Sequence, residues 1–223
     1  MKVISGARAR LLGLGLAAAL VATPGSARAD EVFFAGSTMG AFNGAPLGTT
    51  EWISASGGVP VLVFRSSTFA GTTSNGFLAI GNEPDGANFN NLGSIRLTST
   101  PQVYNGNTFT LLVTFTAPAG IAGGGSTTFQ ALLIGSVTSE NNGGVLFDFD
   151  NTARTFAFGS GATSGTFTFS VNDVSVNPGK EVSITGQILS ATQTTIPEPA
   201  SMTLLATGLA GLGAAARRRK AQK

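Results

Sequence analysis

The sequence predicts an all-β fold, a β-sandwich or jelly roll of about ten strands, on three observations. Between its ends the chain is rich in Thr, Ser, Gly, Phe and Val, poor in Lys and Glu, and lacks any long apolar run at helical spacing. β-Branched and aromatic residues fit a pleated, half-buried surface. Apolar and polar residues alternate with period two in successive runs, and Gly, Asn and Pro punctuate those runs at the spacing of short sandwich strands.

At the N-terminus, Lys2, Arg8 and Arg10 precede an apolar run from Leu11 to Ala22, followed by Pro24, Gly25 and the small-residue site Ala27-Arg28-Ala29. Basic, apolar and Ala-x-Ala segments in that order predict a secretory signal peptide over residues 1–29, cut between Ala29 and Asp30. The apolar dozen has no polar face, as an amphipathic helix would need. Residues 30–195 then make one domain, long enough to bury roughly two-thirds of its unfolded surface.

Within that domain, candidate strands centre near residues 31, 52, 62, 78, 95, 110, 131, 147, 156, 169 and 185. In NTFTLLVTFT, residues Phe109, Leu111, Val113 and Phe115 share one face and Thr108, Thr110, Thr114 and Thr116 the other, with Leu112 the exception. Val145, Phe147 and Phe149 repeat the pattern, as do Phe156 and Phe158, and Val182, Ile184 and Ile188. Phe167, Phe169 and Val171 are odd-numbered whereas Val174 and Val176 are even, which predicts a bulge or bend at Asn172-Asp173. Asn105-Gly106 predicts a tight hairpin turn joining Gln102–Tyr104 to the Phe109 strand. Pro178-Gly179 has type II turn order. Asn141 to Gly144 and Gly159 to Gly165 read as longer connections.

The C-terminus carries a second address. Ala200 to Ala216 is uncharged and just long enough to span a hydrocarbon core about 30 Å thick as a helix. Arg217, Arg218, Arg219 and Lys220 follow at once, and such charge stays cytoplasmic, so the upstream domain faces outward. Before the apolar run stands Pro197-Glu198-Pro199, which lacks two amide donors, resists helix and therefore stays extended and accessible. Pro-Glu-Pro, a short apolar helix and a basic cluster resemble the PEP-CTERM sorting signal, over residues 196–223. The resemblance implies processing by exosortase, an integral-membrane transpeptidase-like enzyme, in Gram-negative bacteria that make exopolysaccharide. It implies an inner-membrane intermediate, then surface display or release, and no particular activity.

Charge and missing residue types exclude several classes of function. Residues 30–195 hold four cations (Arg65, Arg96, Arg154 and Lys180) against ten acids, a formal charge of −6. Nucleic-acid binding, which rests on Lys and Arg neutralising phosphates, is therefore excluded. The chain has no Cys and no His, so disulfides, thiolates and histidine catalysis are absent. Gly36 to Gly40 (GSTMG) mimics a nucleophile elbow, but its central residue is Thr38 and no base is at hand. Gly159, Gly161 and Gly165 fall short of a dinucleotide fingerprint and join β-runs.

Three further candidates remain. Asp148 and Asp150, two apart, could serve as a glycosidase pair, although solvated surface charge accounts for them better. Asn82, Glu83, Asp85, Asn88 and Asn90 offer oxygen ligands to calcium in one loop, against the plainer reading of a turn held by Asx side chains. Trp52 and Tyr104 could stack on sugars, but aromatics within period-two runs are read as core. The sequence thus predicts an exported, non-enzymatic cell-surface or matrix protein with a structural or adhesive role, in contact with exopolysaccharide. The alternatives are a carboxylate-dependent glycan-active enzyme and a calcium- or carbohydrate-binding module.

Overall fold

The structure is a computed structural model that describes residues 27–29, 31–81, 89–160, 163–195 and 207–208. The domain Arg28–Thr195 is a compact unit in its own right. Its strands are β1 (Ala27–Ala29), β2 (Phe33–Phe42), β3 (Thr50–Ser54), β4 (Pro60–Arg65), β5 (Thr68–Thr72), β6 (Leu78–Ile80), β7 (Ser94–Leu97) and β8 (Gln102–Val103). There follow β9 (Thr108–Ala117), β10 (Ser126–Ser139), β11 (Asn142–Phe149), β12 (Arg154–Ser160), β13 (Thr163–Val171), β14 (Val174–Val176), β15 (Glu181–Ser183) and β16 (Gly186–Thr195). The described part of the domain is all-β, as predicted, but divided into more strands than the ten or eleven counted in the sequence.

Three sheets enclose one core. The seven-stranded sheet runs β14-β11-β10-β9-β2-β5, with β8 also paired to β10. The five-stranded sheet runs β1-β16-β13-β12 with β6 on β16, and the four-stranded sheet runs β15-β7-β4-β3. The alternation of β9 explains how they meet. Phe109, Leu111, Val113 and Phe115 all point inward and are buried, and the two phenylalanines reach different sheets. Phe109 lies 5.1 Å, centroid to centroid, from Phe64 of the four-stranded sheet. Phe115 lies 5.0 and 5.2 Å from Phe167 and Phe169 of the five-stranded sheet. Each such ring pair adds about 0.5–1.5 kcal/mol to the area it buries.

Glycine makes room for these rings. Gly36 and Gly40 lie on the inward face of β2, where a Cβ on Gly36 would collide with the Phe69 ring and one on Gly40 would come within 2.6 Å of Phe64 and 2.8 Å of Phe109. The GSTMG stretch is therefore continuous strand and not an elbow. Thr38 is buried within it, its hydroxyl accepting the Ser67 N–H at 3.1 Å and donating to the Ser67 carbonyl at 3.4 Å.

Local turn chemistry was legible in part. The parity flip at Asn172-Asp173 is the bend at which the chain leaves β13 in one sheet and enters β14 in another. It is fixed by Asn172 N–H donating to Thr185 O at 3.0 Å and by Asp173 accepting Phe149 N–H at 2.8 Å. Lys180 N–H closes on Asn177 O at 3.1 Å across Pro178-Gly179, with Gly179 at φ 71°, as a type II turn requires.

Two expectations are corrected. Asn105-Gly106 does turn, with Asn107 N–H donating to Tyr104 O at 3.1 Å, but it makes no hairpin. Both β8 and β9 pair antiparallel with β10, at Val103↔Ser136 and Thr108↔Leu132, so the chain steps out and resumes along the same neighbour. Residues 142–144 are not a loop either, because β11 begins at Asn142 and Gly143 pairs with Val137. On the other side, β12 and β13 pair up to Ser160↔Thr163, which draws Gly159 and Gly165 into the ladder.

Candidate functional site

Much of the predicted chemistry falls outside the described residues. This holds for Asp30, for Asn82, Glu83, Asp85 and Asn88, for Pro197, Glu198 and Pro199, and for Arg217, Arg218, Arg219 and Lys220. Ala27 and Ala29, at the predicted signal cut, lie in β1, an edge strand on β16. Of the predicted span, Thr207 and Gly208 are described and helical. No helix among the described residues is long and apolar enough to cross a membrane. Of the five calcium-ligand candidates only Asn90 is described. It adopts φ 57°, a conformation Asn tolerates, and its N–H donates to Thr68 O at 2.6 Å. Among the described residues no three acidic side chains gather to hold a metal.

The two aspartates of the glycosidase hypothesis do different things. Asp148 stands exposed on the outer face of β11, opposite Leu132. Asp150 lies just past the strand and turns its carboxylate to Thr152 N–H at 3.1 Å and to Arg154 at 3.7 Å. Hydrogen bonds from the Thr152 side chain and amide, helped by the Arg154 charge, hold the Asp150 carboxyl below its usual range. That is the opposite of what a general acid needs. Arg154 is itself occupied, donating to Thr127 Oγ1 at 2.7 Å and lying 4.3 Å from the Phe129 ring centroid.

Two open grooves mark the surface. One, about 370 Å³, is lined by Pro118, Ala119, Gly120, Phe158, Ser160 and Gln193 among others. The other, about 430 Å³, lies over Gly36, Thr68, Phe69, Phe89, Asn90 and Thr116. Neither is lined by an ionisable side chain.

The aromatic pair splits against expectation. Trp52 is not core: it is 53% exposed on β3, an edge strand of the four-stranded sheet. The neighbouring Ile53 takes the inward position, and period two then sends Trp52 outward. Across the strands Trp52 faces Val63, which faces Arg96, while Arg65 sits diagonally beside it, opposite Thr50. Arg65 and Arg96 are exposed and were not singled out as site residues from the sequence. The signal that could have found them is parity, since each occupies the polar phase of a strand whose other phase is Leu62, Phe64, Ile95 and Leu97, all fully buried.

Tyr104, in contrast, is fully buried, and its hydroxyl has no protein partner among the described residues. Burial pushes its pKa from 10.0 up to about 12. The folded chain therefore keeps a proton that the unfolded chain gives up first. Stability from this source is complete below the unfolded value and is lost as pH rises towards the folded one, by at most about 1.4 kcal/mol per pH unit. Because Tyr104 is the only tyrosine, phenolate absorbance reads it alone. The urea midpoint should fall between about pH 10 and pH 12 together with delayed ionisation; phenolate forming at the free-tyrosine pH in the folded protein would refute this.

The described geometry defines a class: an all-β domain whose two described grooves carry no ionisable side chain, followed within a residue of its last described strand by an address segment. Residues 195–220 match the PEP-CTERM protein-sorting motif. The chain thus carries the signal of an exported protein sorted through exosortase. No curated protein and no solved structure matches the chain.

Proposed function

We propose that the domain is a non-enzymatic β-sandwich with a structural or adhesive role in surface polysaccharide. It is delivered through an inner-membrane intermediate held by residues 200–216 and is then processed near Pro197-Glu198-Pro199. The observation that carries the reading is the chemistry of the grooves: neither offers an acid or base, and Asp150, the one carboxylate ion-paired to a cation among the described residues, is held ionised on the surface. The abutting of β16, which ends at Thr195, on the motif that starts there supports display of the whole domain at the membrane surface.

In the native host, the wild-type chain is expected to accumulate with mature ends near Asp30 and Pro197, in the surface polysaccharide or medium. Replacing Pro197, Glu198 and Pro199 together with Ala should leave the C-terminal tail on, as intact mass reads directly. Full-length wild-type protein in the soluble cytosol would overturn the reading, and so would shortening of host exopolysaccharide by the purified protein.

A further inference from the structure

We propose that the outward face of the four-stranded sheet binds an anionic polysaccharide, with Trp52 stacking on a sugar face and Arg65 and Arg96 pairing with its carboxylates. This rests on the reading that the exported domain works within surface polysaccharide, and names the surface and ligand class.

Three observations carry it. The chain's single tryptophan is spent on solvent, although the inward positions around it hold fully buried Leu and Phe. Its exposed indole presents a flat apolar face on which a ring can stack. The domain's scarce cations collect at the same place. Of the four between residues 30 and 195, Arg65 and Arg96 share the outward face with Trp52, and Lys180 directly precedes β15 of the same sheet. Finally, these guanidinium groups are free to receive an anion. The one ion pair among the described residues belongs to Arg154. Glu181, the residue opposite Arg96, accepts a hydrogen bond from the Ser94 hydroxyl at 2.7 Å, so a neighbouring serine engages the carboxylate nearest in register.

Geometry selects the occupant. Trp52 and Arg96 are two strand spacings apart, about 10 Å, and Arg65 is a diagonal neighbour of Trp52 at about 7–8 Å. The two grooves lie elsewhere, and the outward face of a sheet, with side chains at regular spacings, suits an extended chain. Guanidinium forks match carboxylates in bidentate fashion, while the indole face takes the apolar side of a ring. A chain repeating both features is an acidic glycan. Nucleic acid, with a phosphate at every step, is disfavoured because the face offers two arginines and no extended basic stripe.

The test uses the processed protein recovered from its host, with polygalacturonate as the probe. Trp52 is the only tryptophan, so its fluorescence reports the site without labelling. Polygalacturonate should change that emission, less so at high salt, whereas neutral dextran should not. The double variant Arg65→Gln/Arg96→Gln should bind at least about tenfold more weakly, as loss of a charge-assisted hydrogen bond implies. Trp52→Ala, followed by calorimetry, should also weaken binding, and neither variant should lower the melting temperature appreciably. Absence of polygalacturonate binding, unchanged affinity in the double variant, or equal binding of polyglutamate would each overturn the proposal. If the double variant still co-fractionates with surface polysaccharide in cells, this site falls and the broader role stands. If wild-type protein binds polygalacturonate but never meets surface polysaccharide, the broader role falls instead.

Discussion

Phe109→Ala should cost about 3–5 kcal/mol, the range for emptying a buried phenylalanine site. Phe109 is fully buried on β9 and its ring lies 4.9 Å from Phe42, 5.1 Å from Phe64, 5.6 Å from Phe147 and 6.2 Å from Phe149, centroid to centroid. Those four belong to β2, β4 and β11, so the ring joins the seven-stranded sheet to the four-stranded one. A single-domain protein has only about 5–15 kcal/mol in hand, so the variant should sit near the edge of folding. Urea denaturation should show a lower midpoint with an unchanged slope. Phe33→Ala is the control: Phe33 is on the same sheet but 54% exposed, and its loss should cost under about 1 kcal/mol. Equal costs for the two would mean that the aromatic cluster does not hold the sheets together.

Gly135→Ala is expected to destabilise by about 3 kcal/mol or more, or to abolish soluble expression. Gly135 lies inside β10 at φ 131°, and a Cβ there would strike the carbonyl oxygen of Gly144 on β11. The neighbour is backbone, in a ladder, and cannot swing aside. The position is special because β9 yields to β8 beside it. Gly135 N–H donates to Asn105 Oδ1 at 2.7 Å and Gly135 O accepts Tyr104 N–H at 3.0 Å, which ties the step in the chain to β10. Gly106→Ala separates strain from collision. Gly106 also has positive φ, 85°, but open space around it, so only the conformational term of about 1–2 kcal/mol should appear. Comparable losses at both glycines would show that the close approach at Gly135 carries no cost.

How far the fold could be read ahead follows from what alternation encodes. Period two reports which side of a strand each residue takes, and it placed Phe109 to Phe115, Val145 to Phe149, and Phe167 to Val171 on inner faces, all of them buried in the structure. It failed where a strand had no decisive pattern. In Thr50–Ser54 neither phase is strongly apolar, so the general rule that aromatics in β-runs are core put Trp52 inside, whereas packing placed Ile53 there. Glycine-rich stretches misled for a related reason. Gly143 and Gly165 look like punctuation, yet each sits within a strand where a backbone carbonyl or a ring approaches too closely for a side chain.

The sequence by itself determined the sorting motif and the fold class. A sorting motif acts through composition within one short segment, and strand propensity is likewise local, so both can be read without a fold. Only the tertiary structure decided which strands share a sheet, that Asn105-Gly106 is a step and not a hairpin, and that Trp52, Arg65 and Arg96 meet on one outward face. Those facts depend on pairing between segments far apart in the chain, and pairing is selected by the packing of the whole core.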